Sequence, residues 1–437
     1  MIMLIHSFSR YILLLSAIFS YREVVVFLCY RLPRLFKPRN DVGTSLALTW
    51  GNVLAIMNDN NYLNKRYKMK LKATLRLENG MEFHGWSFGS AEAVSGEVVF
   101  NTSMVGYPEQ LTDPTYSGQI LCLTYPLIGN YGVPSEELMA ENLSLKLESD
   151  KIHPKGLIVF DVCQEYSNWE AEKGLEQWMK EQNLTGIYGI DTRELTKILR
   201  DKGSMSGEII PEGAAKPASP AKPSPADVCC KDVIVYKVEK AQDVENINGS
   251  KAATAAGKKV VLVDLGVKHS IVRGLIARGA EVIRVPYDYD FTEMEYDGVY
   301  VSNGPGCTCN CEKTVEILKK VLEGGKPVFG FGMGYHLIAK AAGCELVRLA
   351  HPHRSANQPV RKEGTNRTYI SSQNVYRAVK AASIPSEWEV YFTNLNDGAV
   401  DGIRHKTKPF IGLNFAPEVC VGLNENVTPL DEFISKL

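Results

Sequence analysis

The chain has 437 residues, too many for one ordinary domain; at roughly 100–200 residues each, two or three domains are expected. With 45% hydrophobic and 23% charged residues, its composition is that of a globular enzyme, not of a disordered or multi-span membrane protein. Forty-nine basic against 50 acidic residues leave a formal charge of −1, so no global field favours nucleic acid or an anionic membrane, and neither is expected as a partner.

The N-terminus departs from this average. Residues 1–40 carry six Lys/Arg and a single acid, Glu23. Two apolar runs, from Tyr11 to Ser20 and from Val24 to Tyr30, are split by Arg22 and Glu23, which makes a poor membrane-spanning helix. Arg enrichment with few acids suits an organellar transit peptide. Residues 1–68 are therefore expected to be a leader or transit-like extension, with the working chain starting near Met69. Ten sparse cysteines argue for a reduced compartment, so the expected location is cytoplasmic, with a mitochondrial one as the alternative that the basic extension offers.

From Met69 the pattern sharpens. The alternation of Lys72 to Leu77 meets the turn Asn79-Gly80, a hairpin signal. Val98 to Phe100 and Gln119 to Tyr125 read as further strands, and Asn168 to Glu181 and Thr192 to Asp201 as helices, the second capped by Asp191. Residues 69–210 are thus expected to be a strand-rich mixed α/β domain. Proline, alanine and lysine crowd the stretch from Glu212 to Pro225, and 240–257 is polar and Ala/Gly-rich, so 211–257 is expected to be an exposed, semi-rigid linker.

Beyond Lys258 strands and helices alternate. Val260 to Asp264 is a continuous apolar run of the kind buried on both faces of a parallel sheet. Helix-like 268–278, strand Glu281 to Val285, strand Gly298 to Ser302, helix-like 312–323, strand Pro327 to Phe331 and helix 334–343 follow. The expectation is a doubly wound α/β domain over 258–437, with its site at the carboxyl ends of the strands. One such end is Phe329-Gly-Phe-Gly-Met-Gly334, a strand entering a helix through a tight Gly-rich turn. This is the shape of a nucleophile elbow, although phosphate-cradling loops share it.

Four blocks, Ser302-Asn-Gly-Pro-Gly306, this elbow, Ser372-Gln-Asn374 and Pro417-Glu418, resemble in order and spacing the class I glutamine amidotransferase family. Runs in the first domain (96–103, 106–109, 111–116, 123–126 and 189–193) resemble the small, glutaminase chain of carbamoyl-phosphate synthase, so the likeness covers about 69–437. It implies a flavodoxin-like second domain and a Cys–His–Glu triad that releases ammonia from glutamine. It also implies a large partner chain with ATP-grasp domains, where ATP and Mg are expected, and no cofactor in this chain.

Carried onto this sequence, the resemblance puts Gly332 at the nucleophile, Ala416 at the base and Glu418 at the one retained triad position. The positions it implies for a vestigial glutamine pocket are Thr115, Gly304, Gly306, Met333 and Asn374. Val375-Tyr376 stands where the family holds glutamine with His-Gly, and Tyr335-His336 where it has His-Gln. Glycine cannot attack a carbonyl and alanine cannot accept a proton, so this glutaminase is expected to be inactive. The expected remaining role is to support ammonia-dependent synthesis by a large chain; a binding or scaffold module without a synthetase is the rival reading. Cys307, Cys309 and Cys311 lie beside the Gly-Pro-Gly loop, but no Cys-x-x-Cys or nearby His pair completes a tetrahedral set, so surface thiols are expected there and no metal site.

Overall fold

Alternating side chains build the first domain. Strands β1 (Lys72–Leu77), β2 (Glu82–Gly89), β3 (Val94–Asn101), β4 (Gln119–Leu123), β5 (Gly156–Val159), β6 (Thr185–Tyr188) and β7 (Met205–Pro211) close into a barrel in the order β1-β7-β3-β4-β5-β6-β2. Neighbouring residues divide between two cores, as period-2 geometry requires. Leu75, Val98, Ile120, Ile158 and Ile209 fill one; Val99, Leu121 and Leu157 turn to the other, under helices α1 (Tyr107–Leu111) and α2 (Leu175–Glu181). Helix α3 (Thr192–Lys202) adds Leu195 and Leu199 to the first core. As expected, Asp191 caps it, its side chain accepting the Glu194 N–H at 2.9 Å.

This computed structural model describes residues 71–219, 222–237, 255–416 and 429–437. The expected leader, 1–68, lies outside the described residues, as do Glu418 and part of the expected linker. No helix of the described residues is long and apolar enough to cross a membrane.

The second domain has strands β8 (Ile234–Tyr236), β9 (Lys259–Asp264), β10 (Glu281–Pro286), β11 (Gly298–Val301), β12 (Val328–Phe331), β13 (Leu346–Lys362), β14 (Thr368–Val379), β15 (Trp388–Asn394), β16 (Val400–His405) and β17 (Phe410–Leu413). They form one sheet in the order β8-β10-β9-β11-β12-β17-β16-β14-β13-β15. The run β10-β9-β11-β12-β17 is parallel. Helices α4 (His269–Ala277) and α7 (Pro429–Ile434) pack their apolar residues into the core on one face, α5 (Glu312–Glu323) and α6 (Met333–Ala341) into that on the other. This is the doubly wound arrangement the sequence suggests. The antiparallel extension β13–β16 was not foreseen.

Part of the stretch expected to be an exposed linker is packed instead, and this corrects the reading of 211–257. Residues 212–219 are mostly exposed. Beyond them Pro225, Cys230 and Tyr236 are buried, and β8 pairs antiparallel with β10. The physical reason is Asp264, fully buried at the end of β9, whose carboxylate needs partners. It accepts the Cys230 N–H at 2.7 Å and pairs with the Arg284 guanidinium at 2.7 Å, which ties the segment to the sheet.

Candidate functional site

The barrel and the α/β domain meet around the N-terminus of α4. The Glu148 carbonyl accepts the His269 N–H at 2.9 Å, and the Glu148 carboxylate accepts the Ser270 N–H at 2.9 Å. Arg273 donates to the carbonyls of Ser144 and Leu147. The cations Lys268 and Arg273 and these hydrogen bonds outweigh the cost of burial and hold the Glu148 carboxyl below its ordinary value. One end of the barrel is thereby fixed against the carboxyl ends of the parallel strands, where the elbow lies.

The elbow backbone is intact. Gly332, at the N-terminus of α6, has φ 55° and ψ −111°, a conformation that glycine alone adopts without strain. Its N–H donates to the Leu413 carbonyl at 2.8 Å, and its carbonyl accepts from His336 N at 3.1 Å. Gly334 is required by close approach: a Cβ there would lie 2.1 Å from the Val301 carbonyl oxygen. The chain therefore turns as an elbow turns, with no side chain at its tip.

The space at that tip is taken. A Cβ on Gly332 would fall 2.3 Å from Oδ1 of Asn303 and 2.5 Å from its Cγ. The same Oδ1 accepts the Met333 N–H at 2.8 Å. In an elbow, the N–H of the residue after the nucleophile helps to form the oxyanion hole. Here that donor is already satisfied by Asn303, which is only 8% exposed. The sequence reading missed this side chain; the signal it left was a glycine at the elbow tip, which leaves volume for a neighbour to fill.

Gly304, Gly306, Met333 and Asn374 do come together, lining a cavity of about 30 Å³ with Asn303 and Tyr376. Thr115 reaches the same place from the barrel, its hydroxyl accepting from Asn374 Nδ2 at 3.0 Å. A space of about 30 Å³ has room for roughly one or two waters, whereas glutamine has about ten non-hydrogen atoms. Tyr376 helps to close it, donating its hydroxyl to the Gly306 carbonyl at 2.8 Å. Val375 is buried, and His336 is packed with its Nε2 3.1 Å from the Arg377 carbonyl, burial lowering its pKa to about 4.

Ala416 does not line this small cavity. Its N–H donates to the Ser372 carbonyl at 2.9 Å, and it borders a larger cavity of about 330 Å³ between the domains, with Asn303, Phe331 and Asn374. Among the described residues no group of three or more His, Cys, Asp or Glu is placed to hold a metal ion.

A barrel joined to a doubly wound domain with an amidotransferase elbow defines a class, and comparison with known proteins gives the family. The family model "Glutamine amidotransferase class-I" matches residues 261–436, and "Carbamoyl-phosphate synthase small chain, CPSase domain" matches residues 75–209. The carbamoyl phosphate synthase arginine-specific small chain of Debaryomyces hansenii is 39% identical over 372 residues, covering 84% of this chain and 85% of that one. The human mitochondrial carbamoyl-phosphate synthase [ammonia] is 40% identical over 370 residues, and the multifunctional protein pyr1-3 of Dictyostelium discoideum 40% over 381. This chain spans 23% and 17% of the length of those two proteins. The chain belongs to the carbamoyl-phosphate synthase small chain family and carries its glutamine amidotransferase domain.

Proposed function

We propose that this small chain does not hydrolyse glutamine and acts by docking on a large synthetase chain that draws on free ammonia. The observation that carries the reading is the Asn303 carboxamide, which stands where the nucleophile's Cβ would be and holds the Met333 N–H. Loss of the nucleophile alone costs about 10⁶ in rate in a serine-protease triad. Here the base position is alanine as well, and the cavity on the Gly306 side of the elbow is reduced to about 30 Å³.

Docking needs a complementary surface and no triad. The barrel domain exposes Trp169 at 91%, Met104 at 70% and Phe160 at 52%, and the docking reading assigns them to the partner contact. Two relatives are single chains several times longer than this one, which fits a fused counterpart of such a pair. The name of the human relative specifies ammonia, and it supports the same nitrogen source here. In this reading bicarbonate, ATP and Mg belong to the ATP-grasp domains of the large chain, and this chain holds no cofactor.

The test is reconstitution. The purified chain should release no ammonia from glutamine. With a large chain it should support carbamoyl phosphate synthesis from ammonium, and added glutamine should change nothing. Glutamine-driven synthesis would overturn the inactive-site reading, and failure of any large chain to bind would leave a scaffold without a synthetase.

A further inference from the structure

The three cysteines after the Gly-Pro-Gly loop are not equivalent. Cys311 is 1% exposed, and burial pushes its thiol up to about 12. Cys309 is exposed, and Cys307 is half-buried at the start of the short turn Thr308–Asn310. The Cys309 N–H donates to the Cys307 sulfur at 3.2 Å. Burial opposes ionisation of Cys307, but hydrogen bonds from the Cys309 side chain and backbone, with the charges of Arg377 and Lys340, outweigh it and bring this thiol below its ordinary value. Cys309 moves the opposite way, chiefly because its side chain hydrogen-bonds to Cys307.

A second observation is independent of titration. The Nε of Arg377 is buried without a hydrogen-bond partner. Arg377 lines the small cavity beside Gly306 and Thr308, the residues that flank Cys307. The Arg377 charge acts on Cys307 and favours its thiolate, an anion that the adjoining chain can supply to this unpartnered N–H.

We propose that Cys307 and Cys309 form a redox-active dithiol that reacts with low-molecular-weight disulfides and closes as an intramolecular disulfide. The Cys307 thiolate attacks one sulfur of the reagent, forming a mixed disulfide and expelling one small thiolate. Cys309 then loses its proton, attacks the Cys307 sulfur and expels the second small thiolate. Two protein sulfurs are oxidised, two reagent sulfurs are reduced, and both protein protons leave with the small thiols. Chain connectivity keeps residues two apart within about 7 Å, and a helical turn shortens that into the roughly 4.4–6.8 Å between Cα atoms that a disulfide spans.

The reduced full chain, titrated with oxidised glutathione and then alkylated, tests this by peptide mapping. In the peptide carrying 307–311, Cys307 and Cys309 should escape alkylation, at a mass about 2 Da below their unalkylated dithiol form, and become alkylatable again after reduced glutathione. Cys309→Ser should stop at a mixed disulfide on Cys307, Cys307→Ser should abolish both products, and Cys311→Ser should behave as the parent. Arg377→Gln should slow alkylation of Cys307 several-fold while leaving Cys163 unchanged. Alkylation of Cys307 no faster than that of Cys309, or a mixed disulfide that persists in the parent chain, would overturn the proposal. Cys→Ser at these partly exposed positions is checked by the thermal melt, and the parent's alkylation rates remain a test even where a variant misfolds.

Discussion

Adding a single carbon at position 332 tests whether Asn303 fills the elbow. In Gly332→Ala the new Cβ meets Oδ1 of Asn303 at 2.3 Å, so the carboxamide must move and release the Met333 N–H. A buried donor left unsatisfied costs about 1–3 kcal/mol. The backbone at φ 55°, ψ −111° adds about 1–3 kcal/mol of strain for any non-glycine residue. The sum is about 2–6 kcal/mol, or a melting point roughly 4–24 °C lower for a domain of this size. Gly332→Cys should behave alike. Asn303→Ala loses the same hydrogen bond and clears the same space, so Gly332→Ala with Asn303→Ala should cost less than the sum of the singles by about 1 kcal/mol or more. Denaturant melts of the four chains give the cycle. A neutral Gly332→Ala, or strict additivity in the double variant, would refute the reasoning.

Repair should be cooperative. Gly332→Cys with Ala416→His should yield more glutaminase turnover, by about tenfold or more, than the single changes combined, because triad members act as a unit. Simple additivity in an ammonia-release assay would count against the assignment of these two positions. Stability should fall as pH drops from about 6.5 towards 4. His153, His269 and His336 are buried, and burial lowers each to about 4, so the unfolded chain binds up to three protons that the native one refuses. The three imidazoles alone give a slope of up to about 4 kcal/mol per pH unit; Glu109, Asp113 and Asp401, raised by burial, oppose it, and Glu148, held low by its cations, adds to it at the acid end. Urea titrations at stepped pH measure it, and a flat profile from 6.5 to 5 would contradict the buried neutral imidazoles. Limited proteolysis should cut at 212–219, which is mostly exposed, and spare 225–236, which is tied to the second domain; early cuts at 228–236 would contradict that packing.

The parallel half of the second domain was legible because both faces are buried: Val260 to Asp264 had no other reading than an interior strand. The helix 312–323 was legible to the residue, from its apolar spacing. Strands β13–β16 were not, because polar residues such as His353, Gln373, Asn394 and Asp401 interrupt the apolar alternation. These four are buried against one another and interlock by hydrogen bonds of 2.7–3.3 Å. The Pro/Ala stretch misled for a related reason: composition registers what cannot build a core, and Asp264, which recruits the segment, lies far along the chain. At the site, the resemblance put Gly332 and Ala416 at the nucleophile and base positions. It was silent on what surrounds them, because the Asn303 side-chain direction and the Tyr376 bond to Gly306 are properties of packing.

The central claim is that nitrogen reaches carbamoyl phosphate without passing through this chain's elbow. Isotope tracing measures that directly in the reconstituted pair, supplied with amide-labelled [¹⁵N]glutamine and unlabelled ammonium together. The account predicts carbamoyl phosphate free of label at every glutamine concentration. Label appearing in the product in proportion to glutamine, and disappearing when Gly332 is replaced by alanine, would contradict it.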